Sequence, residues 1–223
     1  MTCGEGRLDR MTVGKRDFDK AAALWDEQPA RIGLANGVFT AISENAPLNT
    51  AMNALAFRCG TGLLTLRLAP MVGSITGIDS SRGMLDVLRA KIAKQNLANV
   101  GSLLLDLDAG DTLTGNYDLI VSSMTFHHIE KIGPLLDHFH RCLTPGGYLC
   151  IADLDPEYGL FHDDSKGVFH FGFERTALGK AAEDAGLGSV KFTTATEVVK
   201  PASDGKMVRF SVFLMTALKG GKA

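Results

Sequence analysis

Long apolar runs are missing from this 223-residue chain. None approaches the ~18 residues that a membrane-spanning helix needs. The first twenty residues, MTCGEGRLDRMTVGKRDFDK, are polar and hold no apolar signal core, so a cytoplasmic location is expected. An excess of charge is missing too: 23 Lys and Arg against 25 Asp and Glu leave a formal net charge of −2. That balance provides no electrostatic footprint for duplex nucleic acid or an anionic membrane, and it argues against either partner. Cysteine is scarce and scattered, at Cys3, Cys59, Cys142 and Cys150, with no C-x-x-C pair. Neither a zinc site nor a disulfide framework is therefore expected, and reduced thiols are. What remains is globular in character. Apolar residues make up 45% and charged ones 22%, and the length can bury a sizeable core.

The chain opens on a Gly- and charge-rich lead-in over residues 1–16, which is expected to be mobile. From Asp17 a helical spacing appears, with Phe18, Ala21, Ala22 and Trp25 on one face and Pro29 closing the run. A second helix is expected over residues 32–42, ended by Asn45 and Pro47. Together these make an N-terminal helical cap over residues 17–46.

After Pro47 short apolar runs alternate with helical ones. The runs are MNALAF (52–57), SITGID (74–79), VGSLLL (100–105), YDLIVSS (117–123) and YLCIAD (148–153). Helices are expected over 61–68, 81–95, 133–143 and 174–185. This alternation predicts βαβ units and a parallel sheet covered on both faces. Pro145-Gly146-Gly147 reads as a turn before the fifth strand. SVKFTTATEVVK and MVRFSVFLMTALK, separated by PASDGK, form a terminal hairpin, so the last strand is expected to be antiparallel. The prediction is a Rossmann-like α/β fold of seven mostly parallel strands, with a core over 47–223 and an irregular lid over 154–173.

Ligands of such sheets bind beyond the carboxyl ends of the strands, where the strand order reverses. The first strand runs into Arg58-Cys59-Gly60-Thr61-Gly62 and then a helix. Glycines there allow close backbone approach, and a helix start offers free N–H groups. The second strand ends in Asp79, an acid placed to accept the hydroxyls of a ribose. The pair points to an adenosine-bearing cofactor. A dinucleotide fingerprint would need a third glycine where Thr65 stands, which argues against a nicotinamide enzyme.

CGTGLL, GIDSS followed by Met84, Asp106-Leu107, SSMTFHHI and LTPGGYLCIADLD stand in an order that resembles the class I S-adenosylmethionine-dependent methyltransferases. The FDKAAALWDE cap is similar to that of bacterial small-molecule members. The resemblance implies S-adenosylmethionine as cofactor, S-adenosylhomocysteine as product and a small-molecule methyl acceptor. It implies that Gly60 and Gly62 run under the methionine part and that Asp79 binds the ribose. Ser80 and Met84 would lie near the adenosine, although Met84 equally fits a helix-face core position. Asp106 and Leu107 would read the adenine edge, and Ser122 and Ser123 would face the methyl group.

One departure stands out. Where the family usually has an acid and then, two residues on, a glycine, this chain has Ala56 and Arg58. Three outcomes are open for Arg58: turning outward, pairing with the cofactor's carboxylate, or blocking the pocket. A methyltransferase-fold protein with weakened or lost catalysis is the alternative that this departure raises. His127 and His128 are the candidates for a general base, needed only for a hydroxyl or acidic-carbon acceptor. Bracing of the loop competes with that role. The acids near His162 lack an H-x-x-x-H spacing, so no metal site is expected and the segment reads as a solvated lid.

Overall fold

The computed structural model describes residues 18–201 and 205–221. The lead-in over 1–16 and the tip of the terminal hairpin lie outside the described residues. Among the described residues seven strands form one sheet, β1 (Asn53–Phe57), β2 (Ser74–Asp79), β3 (Val100–Leu104), β4 (Tyr117–Ser123), β5 (Leu143–Leu154), β6 (Leu187–Pro201) and β7 (Met207–Lys219). Their order is β3-β2-β1-β4-β5-β7-β6. The first five are parallel, and β7 lies antiparallel between β5 and β6. The strand order reverses between β1 and β4, so their carboxyl ends open the crevice where a ligand binds.

The central strands read as unbroken apolar runs because both of their faces are covered. In β1, Leu55 and Phe57 enter a core with Ile78, Ile120, Phe126 and Phe139. The alternate residues Ala54 and Ala56 enter the opposite core with Ile42, Leu68, Leu119 and Val121. The alternation is the period of two that a pleated strand imposes. Helices α5 (Ile132–Cys142) and α6 (Arg175–Asp184) supply the first face, and α2 (Pro29–Asn45) and α3 (Leu63–Leu68) the second. Helix α4 (Arg82–Gln95) starts at Ser81, whose Oγ accepts the Met84 N–H as an N-cap. No helix among the described residues is long and apolar enough to cross a membrane.

Two local expectations change. Pro29 opens α2 rather than closing the preceding run, which is a single turn α1 (Phe18–Ala21) followed by a 3-10 turn over Ala22–Glu27. Proline lacks only an N–H that the first turn of a helix leaves unpaired anyway, so it starts helices as readily as it ends them. Pro145-Gly146-Gly147 lies within β5, not before it. Leu143 already pairs with Tyr117, and the register then jumps to Tyr148 opposite Leu119. The turn residues are a bulge looped out of a continuing strand.

The segment after β5 leaves the sheet and returns to α6 with its base clasped. Phe173 N–H donates to the Leu154 carbonyl at 2.9 Å, and Glu157 N–H to that of Phe171 at 2.9 Å. Arg175 grips Asp155 through Nε and a terminal nitrogen, both at 2.7 Å. Burial pushes the Asp155 carboxyl up, but the Arg175 fork outweighs it and the net displacement is downward. An acid with a depressed folded-state pKa stabilises the fold above its ordinary value of 3.8 and loses that contribution as pH falls through the depressed value. Arg175→Ala is expected to cost roughly 1–3 kcal/mol at pH 7. That cost should shrink in acid below the ordinary carboxylate range, as thermal melts across pH would record.

Candidate functional site

The loop after β1 is pinned to the tip of β2. Cys59 N–H donates to the Ile78 carbonyl at 2.9 Å, and Gly60 N–H to Asp79 Oδ2 at 2.8 Å. Gly60 and Gly62 both take positive φ, +55° and +83°. Their surroundings differ. A Cβ on Gly60 would meet only Met84 Sδ, at 3.9 Å, so the space before it is open. A Cβ on Gly62 would lie 2.4 Å from Leu88 Cδ1, so Gly62 serves the packing of α3 against α4. Arg58 shares the left-handed conformation at φ 47° without being glycine.

Asp79 is 8% exposed. Its Oδ1 accepts the Ser81 N–H at 2.9 Å while Oδ2 holds Gly60. Burial raises its pKa above the ordinary value, opposed by those N–H groups and by the Arg58 charge. Each carboxylate oxygen keeps a second acceptor site, which is what a ribose diol requires.

The cap bonds to both strand-tip loops, a role the sequence patterns did not disclose. Asp19 accepts from Ser81 Oγ and, at 2.8 Å, from Gly83 N–H. Asp26 accepts from Thr61 Oγ1 at 2.6 Å and from Lys91 Nζ, which also donates to the Thr61 carbonyl at 2.8 Å. Two acids on consecutive short turns thus hold the cap over the β1 and β2 tips.

Beneath the cap lies a cavity of about 600 Å³. Arg58, Gly60, Asp79, Ser80 and Met84 line it on the β1–β2 side, and Ser123, His127 and His128 on the β4 side. Met84 is both wall and core, being 2% exposed with its sulfur toward Gly60. Ser122 is buried below the cavity, and Gly62 is not among the lining residues. Asp106 and Leu107 sit at the β3 tip, also outside the lining. The Asp106 N–H donates to Asp111 at 2.8 Å, and Leu107 packs against the core. The cap contributes Phe18, Trp25 and Arg31, and the segment after β5 contributes Phe161 and His162.

The histidines are held from behind. His127 is 2% exposed, and its Nδ1 lies 2.7 Å from Oδ1 of the fully buried Asp153. Asp153 also accepts the backbone N–H groups of Thr125, His127 and Leu154. Burial pushes the Asp153 carboxyl up, but the His127 contact and the N–H groups outweigh it and hold it below the ordinary range. An ionised partner makes His127 Nδ1 the protonated nitrogen and leaves the Nε2 lone pair free. His128 Nδ1 stands 2.7 Å from the Gly167 carbonyl, which only accepts, so the same tautomer follows. Burial and the neighbouring His127 lower the His128 pKa to about 4. His162 completes the group, its ring 4.8 Å from that of His127.

Sequence patterns named His127 and His128 but not their partners. Asp153 stands as the acid that ends an apolar strand, YLCIAD, and that position is the trace it leaves in the sequence. The approach of His162 leaves no trace, because it depends on how the segment folds back. Phe169 N–H donates to the His127 carbonyl at 2.9 Å, and His170 Nε2 is 2.9 Å from that of Ile129, which docks the segment on the loop after β4.

A family model described as a methyltransferase domain matches residues 54–147. An uncharacterised methyltransferase of Schizosaccharomyces pombe is 36% identical over 137 residues, 55% of this chain and 48% of that protein. A malonyl-[acyl-carrier protein] O-methyltransferase of Priestia megaterium is 24% identical over 178 residues, 72% of this chain and 63% of that protein. The chain thus spans less than two thirds of the length of either relative. A solved S-adenosylmethionine-dependent methyltransferase from Aquifex aeolicus superposes with a TM-score of 0.64 at 25% identity, covering 90% of this chain and 99% of that one.

Proposed function

We propose that this chain, which belongs to the class I S-adenosylmethionine-dependent methyltransferases, moves a methyl group to a small-molecule acceptor held in the cavity beneath its cap. The observation that carries the proposal is the shape of the site. A cavity of about 600 Å³ runs from Asp79 to the histidines, within the size range of small-molecule sites, and residues of the cap and of the segment after β5 line it. The cytoplasm is the proposed location.

The residues present fit the cofactor. Asp79 has acceptor capacity left for two ribose hydroxyls, Gly60 leaves open space at the loop, and Ser80 and Met84 line the same side of the cavity, where the proposal puts the adenosine. Arg58 lines the same cavity, and its guanidinium suits a carboxylate such as that of the methionine moiety. In the proposal Gly62 supports the loop from below, Ser123 faces the methyl group, and Asp106 and Leu107 flank the adenine from the β3 tip. Bound there, the cofactor would supply an electrophilic methyl group on a positively charged sulfur, with a neutral thioether as the leaving group.

The chain's part is position and proton. Cap and segment exclude water and hold the acceptor's donor atom in line with the methyl carbon. His127, with Nδ1–H fixed on Asp153, offers Nε2 to take the proton that a hydroxyl or acidic carbon must lose, and Asp153 stabilises the imidazolium. His128 stays neutral at pH 7 and braces the segment through Gly167. An oxygen acceptor accords with the O-methyltransferase activity of the Priestia megaterium relative. The test supplies the chain with methyl-labelled cofactor and a cell extract separated into small molecules, RNA and protein. Label is expected in the small-molecule fraction, and transfer confined to RNA or protein would overturn the proposed acceptor class.

A further inference from the structure

The histidines at the β4 end of the cavity do more than border it. One ring nitrogen from each of His127, His128 and His162 lies within 4.8 Å of the other two. Two of the three are already arranged as metal-bound histidines usually are. A metal-ligating imidazole typically donates its second ring N–H to a carboxylate or a backbone carbonyl, which fixes the tautomer and turns the lone pair toward the ion. His127 makes that bond to the Asp153 carboxylate at 2.7 Å, and His128 makes it to the Gly167 carbonyl at 2.7 Å. The third imidazole arrives from a different part of the chain, the irregular segment between β5 and α6. We propose that His127, His128 and His162 bind a single divalent cation of the zinc type.

The donor set selects the ion. Three neutral imidazoles suit zinc, cobalt, nickel or copper, whereas magnesium and calcium take oxygen ligands. Three protein ligands leave a fourth position open, as in zinc sites that bind a substrate or water. All three histidines line the cavity, so that position faces the acceptor space. Asp163 and Asp164 follow His162 among the lining residues, Asp163 paired with Lys200 at 3.0 Å. Zinc–nitrogen bonds of about 2.0–2.1 Å bring the ligand atoms to roughly 3.4 Å apart in a tetrahedron. The present spacing of up to 4.8 Å is therefore the open form of the site. His127 is fixed by the buried Asp153, so closure falls to His162, which the irregular segment carries inward.

The cation and the proton-accepting role of His127 use the same nitrogen. The ion-free protein keeps Nε2 for a proton, and the loaded protein keeps it for the ion. The metal site stands on its own geometry and is tested without turnover. The full chain is stripped with a chelator, equilibrated with zinc or cobalt chloride, dialysed and assayed for bound metal. Close to one ion per chain is expected, with the visible cobalt absorption of a low-coordinate nitrogen site. His162→Ala, which leaves the His127–Asp153 pair intact, is expected to weaken zinc binding at least tenfold while the melting temperature of the stripped protein barely moves. Asp153→Asn, acting from behind His127, should weaken it about 10–100-fold. Metal uptake by the wild type equal to that of His162→Ala would overturn the proposal, since the ion would then sit on other surface groups. Failure to bind metal, with S-adenosylhomocysteine still binding the stripped protein in calorimetry, would remove the metal site and leave the methyltransferase reading untouched. The opposite result would do the reverse.

Discussion

Replacing Asp79 with alanine is expected to weaken S-adenosylhomocysteine binding by roughly 10²–10³-fold. The carboxylate is 8% exposed and already holds Gly60 and Ser81 through one N–H each. Its two remaining acceptor sites are the proposed ribose contacts, and hydrogen bonds to a charged group are worth about 1.5–3 kcal/mol each. Loss of both is then about 3–4 kcal/mol after partial replacement by water, which sets the expected fold-change. The substitution also releases the Gly60 loop, so affinity and melting temperature must be followed together. Asp79→Asn keeps the shape and one acceptor oxygen, and an intermediate loss is expected. Unchanged affinity in the alanine variant, measured by calorimetry, would place the ribose elsewhere.

The second large effect is expected at Asp153. It is fully buried, and four groups depend on it: the ring of His127 and the N–H groups of Thr125, His127 and Leu154. Removing this buried acceptor leaves those donors unpaired, at roughly 1–3 kcal/mol each and about 3–5 kcal/mol together after local relaxation. For a chain of this length that lowers the melting temperature by about 6–20 °C. Asp153→Asn separates fold from chemistry. The amide fills the same space, and with its oxygen kept on the Thr125 and His127 N–H groups its NH₂ faces His127 Nδ1, which must then accept, so the ring takes the other tautomer and Nε2 loses its lone pair. Turnover is expected to fall about 10²-fold or more with S-adenosylhomocysteine affinity nearly constant. Equal losses in turnover and cofactor affinity would instead mark Asp153 as a purely structural support.

The alternation of strands and helices was legible because its cause is local. A strand covered on both faces must be apolar throughout, and β1, β4 and β5 announce themselves in NALAF, YDLIVSS and YLCIAD. Gly60 and Asp79 were legible for the same reason, since strand ends and tight turns have residue requirements of their own. The misplacements at Pro29 and at Pro145-Gly146-Gly147 share one cause. Proline and glycine mark a change of backbone direction but not whether the element starts, stops or bulges, which the neighbouring strand or helix decides. Asp19, Asp26 and His162 act through contacts with residues far along the chain, Ser81, Thr61 and His127, so no spacing pattern points to them.

The departure at Ala56 and Arg58 bears hardest on the whole account. Ala56 is 3% exposed and packs in the core on the α2 side, so no carboxylate approaches the cavity from that position. Arg58 holds a left-handed conformation that costs a non-glycine residue roughly 1–3 kcal/mol, and it lines the cavity. Strain retained beside a ligand crevice accords with a residue kept for a contact there. The most direct test is a calorimetric titration of the wild-type chain with S-adenosylhomocysteine. Saturable binding of one ligand per chain, weakened in Arg58→Gly, is the predicted result. No binding by the wild type, with binding appearing in an Ala56→Asp, Arg58→Gly double variant, would contradict it and mark the chain as a methyltransferase fold that has lost its cofactor.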